Sequence, residues 1–211
     1  MLDRFFDEAA RARIEVAVRE AEGRSLGQLV PVVVEKSSGY PEARYRGALL
    51  AAALATGAAL AFAVPLTLAE LVLVQAAAAA VGALIALWDP LERILAGRTE
   101  MELAARERAV RAFQEHGLHR TLYGTGVLVF ASLFERRAVV LGDQAIHERM
   151  GDVEWHRAVD ALAAGMRRGD PAAGFCEAIG LCGAKLAEHF PREGVEGPSN
   201  ELPDALKASK E

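Results

Sequence analysis

The chain has 211 residues, of which 52% are hydrophobic, enough for one compact domain of roughly 100–200 residues plus an appendage but not for a second enzyme-sized domain. Its formal net charge is -5, from 24 Lys and Arg against 29 Asp and Glu, and no basic block occurs. The cations needed to neutralise several phosphates at once are therefore missing, and no nucleic acid is expected among its partners.

The N-terminal segment carries Phe5, Phe6, Ala9, Ala10, Ile14, Ala17, Val18 and Ala21 at helical spacing between charges, which predicts an amphipathic helix ending near Gly23. Asp3, Asp7, Glu8, Glu15 and Glu20 interrupt any apolar core of the signal-peptide kind, so the chain is expected to begin in the cytoplasm. Leu29 to Glu35 is a short β-branched run suited to a buried strand. Pro31 has no N–H to give a ladder, which points to a sheet edge or a strand start. Ser37, Ser38, Gly39 and Pro41 read as a linker.

From Gly47 to Trp88 the sequence is GALLAAALATGAALAFAVPLTLAELVLVQAAAAAVGALIALW, whose sole ionisable residue is Glu70. A bilayer core about 30 Å thick needs roughly 20 apolar residues per helix, so the run is long enough for two spans and a tight turn. The spans are expected near Gly47 to Val64 and Ala69 to Trp88, with the turn at Pro65 and Thr67. Arg44 and Arg46 precede the run, Arg93 and Arg98 follow it, and the turn has no Lys or Arg, which places both ends and both termini in the cytoplasm. Glu70, close to the turn, reads as a wetted helix start rather than a proton relay. Thr56 and Gln75 are placed to bond between the helices, and the many Ala and Gly residues permit close backbone approach. Two buried helices of a soluble core would need more surrounding sequence than this chain has.

Asp89 and Pro90 are expected to break the helix at the bilayer surface, and Thr99 with Glu102 has the spacing of a capping box. A second amphipathic helix should run from about Glu100 to His116, stopped by Gly117. Gly126 to Asp143 reads as an antiparallel hairpin of two apolar runs turning near Leu133 to Arg136. Trp155, Val159, Leu162, Ala163 and Met166 mark a third helix; Phe175, Ile179, Cys182, Leu186 and Phe190 mark a fourth, beyond Gly169, Asp170 and Pro171. Cys176 and Cys182 fall on different faces of that helix at about 100° per residue and read as packing residues, not as a disulfide or metal clamp. The lone strand before the apolar run must pair with the hairpin after it. The fold class is therefore α/β, an α+β sandwich in which a small mixed sheet is flanked by helices, with an inserted two-helix transmembrane hairpin. The head is discontinuous over residues 1–46 and 89–191, the hairpin occupies 47–88, and 192–211 is expected to be an extended tail open to contact.

Val110 to Ile146 reads VRAFQEHGLHRTLYGTGVLVFASLFERRAVVLGDQAI: a helix ending in Phe and Gly-Leu, a Gly-Val-Leu strand, a Glu-Arg-Arg turn, and a strand closing on Asp143. This pattern resembles the TPM domain, with Ala145 where the family usually has Gly. The similarity continues through Gly169-Asp170, the apolar helix to Phe190-Pro191, and Asn200 to Asp204. The resemblance implies a small α/β sandwich. Many relatives carry an extracytoplasmic head tethered by a terminal helix, whereas here the anchor is internal and the head is expected inside. Family members have been linked to weak acid phosphatase activity, calcium binding, photosystem repair and membrane complexes, so the resemblance implies no one reaction.

Asp143 stands at the end of an apolar strand, where sheet proteins often place ligands. Together with Glu135, Asp152, Glu148 or Glu154 it would offer hard oxygen ligands to calcium; Asp143, Glu135 and Asp152 form the candidate metal set. The competing role for Asp143 is a cap or a turn, and the spacing matches no EF-hand loop. The histidines are scattered: His147 lacks a second His four residues on, and His116 and His119 straddle Gly117. Arg136 and Arg137, adjacent on a strand, point to opposite faces and read as a solvated turn. No Gly-x-Ser-x-Gly elbow, phosphate loop or dinucleotide fingerprint occurs, and no catalytic residue is assigned. The chain is thus expected to be a non-enzymatic protein of a bacterial inner membrane. Its partners are the lipid bilayer and, at the cytoplasmic head, a protein partner or its own kind. Alternatives are a weak metal-dependent phosphatase using Asp143 and a calcium-binding regulator.

Overall fold

The computed structural model describes residues 2–150, 153–192 and 202–209. In chain order the elements are α1 (Leu2–Phe5), α2 (Glu8–Glu22), β1 (Gln28–Val34), α3 (Pro41–Ala61), α4 (Leu68–Ile85), α5 (Asp89–Ala96), α6 (Arg98–Glu115), β2 (Gly126–Ser132), β3 (Arg137–Gly142), α7 (Gln144–Met150), α8 (Val153–Arg168), α9 (Pro171–His189) and β4 (Lys207–Ser209). They form two compact units. One joins Met1–Ser37 to Glu102–Glu211, and the other is Ser38–Met101.

The first unit is a mixed α/β fold around a four-stranded sheet of order β3-β2-β1-β4. β1 runs parallel to β2, with Gln28 opposite Gly126 and Val34 opposite Ser132, and β2 runs antiparallel to β3. The strand before the 38–101 insertion is thus paired with the hairpin after it. Alternation sorts the side chains between two apolar clusters. Leu29, Val33, Val127 and Val129 pack with Ile14 and Val18 of α2, Leu162 of α8, and Phe175 and Ile179 of α9. Val30, Val32, Val34, Leu128 and Phe130 pack with Ala109 and Ala112 of α6 and with Leu118. Both faces of β1 are covered, which is why it reads as an unbroken apolar run.

Pro31 lies inside a central strand, not at the edge or start its chemistry suggested. The amide of Gln28 donates toward β2, to the Thr125 carbonyl at 3.0 Å, and that of Glu35 donates toward β4, to the Ser209 carbonyl at 3.1 Å. Because successive amides alternate sides, the nitrogen of Pro31 faces the β4 side. There the pairing begins only at Val32, opposite Lys207, so the missing N–H interrupts no ladder.

Three further expectations are corrected. Asp89 and Pro90 do not end a helix but start α5, with extended Trp88 before them and Pro in the first turn, where its absent N–H costs nothing. Thr99 is inside α6, which the chain enters from Gly97 at φ 79, so it has no capping role. The stretch 192–211 is extended at its described end, yet Lys207–Ser209 is not open to contact on its inner side: it pairs parallel with Val32–Val34. The stop expected at Gly117 is present, in the left-handed region at φ 72.

In the second unit α3 and α4 pack against each other along their length. A Cβ on Gly82 would stand 2.4 Å from the Gly47 carbonyl oxygen and 2.5 Å from the Ala51 methyl, so the backbones approach as closely as small residues permit. Gln75 Nε2 donates to Thr56 Oγ1 at 2.8 Å. Thr67 and Glu70 form a capping box at the start of α4. Among the described residues one helix, Leu68–Ile85, is long and apolar enough to cross a membrane, and only 6% of it is buried. In α3 the first six residues, PEARYR, are polar, which leaves an apolar part of about 22 Å at 1.5 Å per residue.

Gly82→Val is expected to push α3 and α4 apart and lower the melting temperature of the purified protein. Gly57→Ala, where an added methyl meets nothing within 4 Å, should leave it unchanged or raise it slightly, since Ala is favoured over Gly in helices by roughly 0.5–1 kcal/mol. Equal effects of the two substitutions would refute the close contact.

Candidate functional site

The sequence singled out Asp143, Glu135 and Asp152. The structure puts Asp143 and Glu135 at opposite ends of β3, which separates them by about 20 Å at 3.3 Å per residue, and Asp152 lies outside the described residues. Asp143 and Glu135 therefore do not share a site.

Asp143 is half-buried where β3 leaves the sheet. Its amide donates to the Gly126 carbonyl at 2.9 Å, its carbonyl accepts from Ile146, and its Oδ1 accepts from the Gln144 amide at 2.8 Å. The side chain thus serves the opening of α7. Glu148 accepts from the Gln144 side chain at 2.9 Å. Gly124, at φ 63, lies beside Asp143 Oδ2, and its loop is braced by the Thr125 amide on Thr121 Oγ1 at 3.0 Å. Among the described residues no three His, Cys, Asp or Glu side chains gather as a metal ligand set.

At the other end of the sheet Glu135 is buried. Its Oε1 accepts from the Ser37 amide at 2.9 Å, and its Oε2 accepts a short hydrogen bond from Ser132 Oγ. Ser37 Oγ in turn donates to Ser132 Oγ at 2.9 Å. This network ties the residue where the chain leaves β1 to the β2–β3 turn. Arg136 in that turn is exposed, at φ 53, and Arg137 pairs with Glu102 at 3.3 Å. Glu35 accepts from the Leu2 amide at 2.9 Å.

The group that sequence reasoning missed is Glu22, the last residue of α2. It is 3% exposed, and its Oε1 accepts from the Leu29 amide at 2.7 Å, an N–H on the side of β1 where β4 does not reach. Burial is the main cause that pushes its pKa up to about 8; the neighbouring Asp204 carboxyl adds to the rise, while the Leu29 amide and the Arg192 guanidinium oppose it. Asp204 also faces Arg19 at 3.7 Å, and Arg192 Nε donates to the backbone carbonyls of Glu22 and Ser25 at 3.3 and 3.1 Å. Asp204, through Arg19, and Arg192, through two carbonyls, thus bring the C-terminal part of the chain to the end of α2 beside Glu22. The available sequence signal was an acid on the same stripe as Ile14, Val18 and Ala21.

The cysteines are free. Burial pushes the Cys182 thiol up to about 12 and also raises that of Cys176, so neither is an activated nucleophile.

Glu22 has a folded pKa raised above its ordinary value. Its favourable contribution is therefore complete below about pH 4.5 and is lost as the pH rises to about 8, at up to about 1.4 kcal/mol per pH unit. Glu22→Gln keeps an acceptor for the Leu29 amide and removes the titration. Its stability relative to wild type should rise steadily through that window and level off above it, as read by thermal melts; a pH-independent difference would refute the assignment. For Asp143, replacement by Ala should cost about 1 kcal/mol and replacement by Asn much less, as for other residues that bond the opening amides of a helix. Added calcium should shift neither melt. A calcium-dependent rise lost in Asp143→Asn would instead identify a ligand.

No family model matches this chain, and no curated protein matches it. Among solved structures, the NMR structure of BA42 protein from the psychrophilic bacterium Bizionia argentinensis is similar, with a TM-score of 0.60 and 17% sequence identity over 99% of this chain and 98% of that one. At that identity the likeness is one of fold.

Proposed function

We propose that this protein is a membrane-anchored TPM-domain protein, non-enzymatic, whose α/β unit mediates protein interaction or assembly at the cytoplasmic face of a bacterial inner membrane. The observation that carries the anchor is the exposure of the apolar side chains of α3 and α4. Leu49, Leu54, Leu60, Leu68 and Leu73 are 69–79% exposed, and Phe62 is 81% exposed. So continuous an apolar surface on paired helices needs a covering that is not water. Lipid fits because the charges are confined to one end. Arg46 at the start of α3 donates to the carbonyls of Leu95 and Ala96 at 2.6 and 3.2 Å and pairs with Glu100, so both ends of the hairpin meet at the arginines while the turn at residues 62–67 carries no charge. That distribution follows the positive-inside rule. The short apolar part of α3 is accommodated by snorkelling of Arg44 and by local thinning.

Support for an interaction role comes from β3, an edge strand of six residues with Arg137, Ala138, Val139 and Leu141 only partly buried. The backbone edge of such a strand is a template for strand addition by a partner or a second copy.

In native membranes the protein should resist carbonate extraction. In a Cys176→Ser background, Pro65→Cys should react with an impermeant maleimide added outside intact cells, and Arg44→Cys only after permeabilisation. Labelling of both from the same side would overturn the topology. Crosslinking should trap a dimer or a hetero-complex through β3; monomer at every dose would overturn the interaction role.

A further inference from the structure

The short helix α5 leaves Ile94 exposed and Leu91 and Leu95 half-buried, and Leu87 and Trp88, which lead into it, are exposed as well. Its sequence is DPLERILA. At about 100° per residue Leu91, Ile94 and Leu95 share one face, Glu92 and Ala96 lie beside it, and Arg93 is opposite; Leu87 and Trp88 precede the helix. Glu92 and Ala96 are buried at 2% and 0%, whereas Ile94 is 74%, Trp88 67% and Leu87 48% exposed; α5 packs against α3. Its orientation is fixed at both ends. Extended Trp88, at φ -76 and ψ 120, breaks the chain direction out of α4, and Arg46 of α3 binds the last two carbonyls of α5, where a cation also complements the helix dipole.

The exposed face of α5 continues the exposed surface of α4, through Leu84 and Ile85 to Leu87, Trp88 and Ile94. Trp at the end of an apolar helix, followed by a turn into a short helix whose polar Glu92 is buried and whose Ile94 is exposed, is the arrangement that suits the boundary between acyl chains and headgroups. We propose that α5 is an in-plane interfacial helix, which seats Leu87, Trp88, Leu91 and Ile94 in the headgroup boundary of the same phospholipid membrane the hairpin crosses. This rests on the membrane reading of α3 and α4 and adds the occupant of a further surface. α5 is then a collar that sets the depth of the hairpin and stops it from sliding inward, with Arg46 as the residue that holds the collar at its angle.

The test is the depth of single tryptophans in the full-length protein, reconstituted into phosphatidylethanolamine–phosphatidylglycerol vesicles brominated either high on the acyl chain or near its end. Trp155 is replaced by Phe throughout. Trp88 itself, and Ile94→Trp with Trp88→Phe, should be quenched most by the shallow bromines, because in-plane helices sit roughly 5–10 Å into the boundary. Leu54→Trp with Trp88→Phe, in the middle of α3, should be quenched most by the deep ones. Deep quenching at Leu54→Trp with none at positions 88 and 94 overturns the collar and leaves the anchor standing. Strongest deep quenching at 88 and 94 also overturns it, since α5 would then extend the span. Absence of quenching at all three positions removes both readings. Arg46→Gln should keep the deep quenching at Leu54→Trp while the shallow quenching at Ile94→Trp falls; unchanged quenching at Ile94→Trp would remove Arg46 from its part in the proposal.

Discussion

The parallel pairing of β1 with β2 is the constraint on which the rest depends. Seven residues on each strand are in register, Gln28 to Val34 against Gly126 to Ser132, and about 90 residues of chain intervene. Closing a flexible loop of that length costs on the order of 4 kcal/mol. The cost is offset by burial of almost every side chain on both strands, at roughly 25 cal/mol per Å² of apolar surface. The insertion also lightens its own closure. The contact of Arg46 with Leu95 and Ala96 brings two points some fifty residues apart into hydrogen-bond distance, so the intervening chain behaves as a shorter loop. A self-paired helical hairpin is therefore an economical thing to insert between two strands that must meet.

That pairing also explains where the buried polar groups went. A strand in the centre of a sheet has amides on both sides, and β4 covers only the Val32–Val34 part of β1. The uncovered amide of Leu29 takes the carboxyl of Glu22, and the position where no amide exists is Pro31. Beyond the other end, the Ser37 amide takes the carboxylate of Glu135. Two buried acids, Glu135, which the sequence singles out as a ligand, and Glu22, which it does not, are thus bound to backbone N–H groups at the two places where the ladder stops. An unpaired buried amide costs a few kcal/mol, and that is reason enough for both carboxylates to be where they are.

The legible part of the fold was whatever local periodicity or punctuation determines. The helix ending near Gly23, the hairpin from Gly126, the stop at Gly117 and the Thr56–Gln75 bond all follow from short-range spacing. Even the pairing of the first strand with the hairpin could be reasoned, because one apolar strand has nowhere else to go. Lys207–Ser209 was not legible, since Lys-Ala-Ser carries no alternation and becomes a strand only because β1 offers it an edge. α5 was hidden because Asp-Pro is as good a helix start as a helix stop, and the extended Trp88 decides between them. Glu135 and Asp143 do not meet for a simple reason: they flank a strand, and a strand carries its two ends apart, however near they are in sequence.

The two units meet their hydrogen-bonding needs in different ways. The α/β unit buries Glu22, Gln28, Ser37, Ser132 and Glu135 and binds its acids to backbone amides at the ends of β1. The hairpin satisfies its few polar side chains within itself. Thr56 returns its hydroxyl to the Ala52 carbonyl at 2.9 Å, Gln75 reaches Thr56, and Thr67 and Glu70 close on each other. In a medium that donates and accepts nothing, every polar group must be satisfied from within, and a pair of helices built from Ala, Gly and Leu with its few polar side chains bound to one another meets that condition. The membrane reading of the hairpin therefore rests on an apolar surface turned outward, with the Thr56–Gln75 bond between its helices beside it.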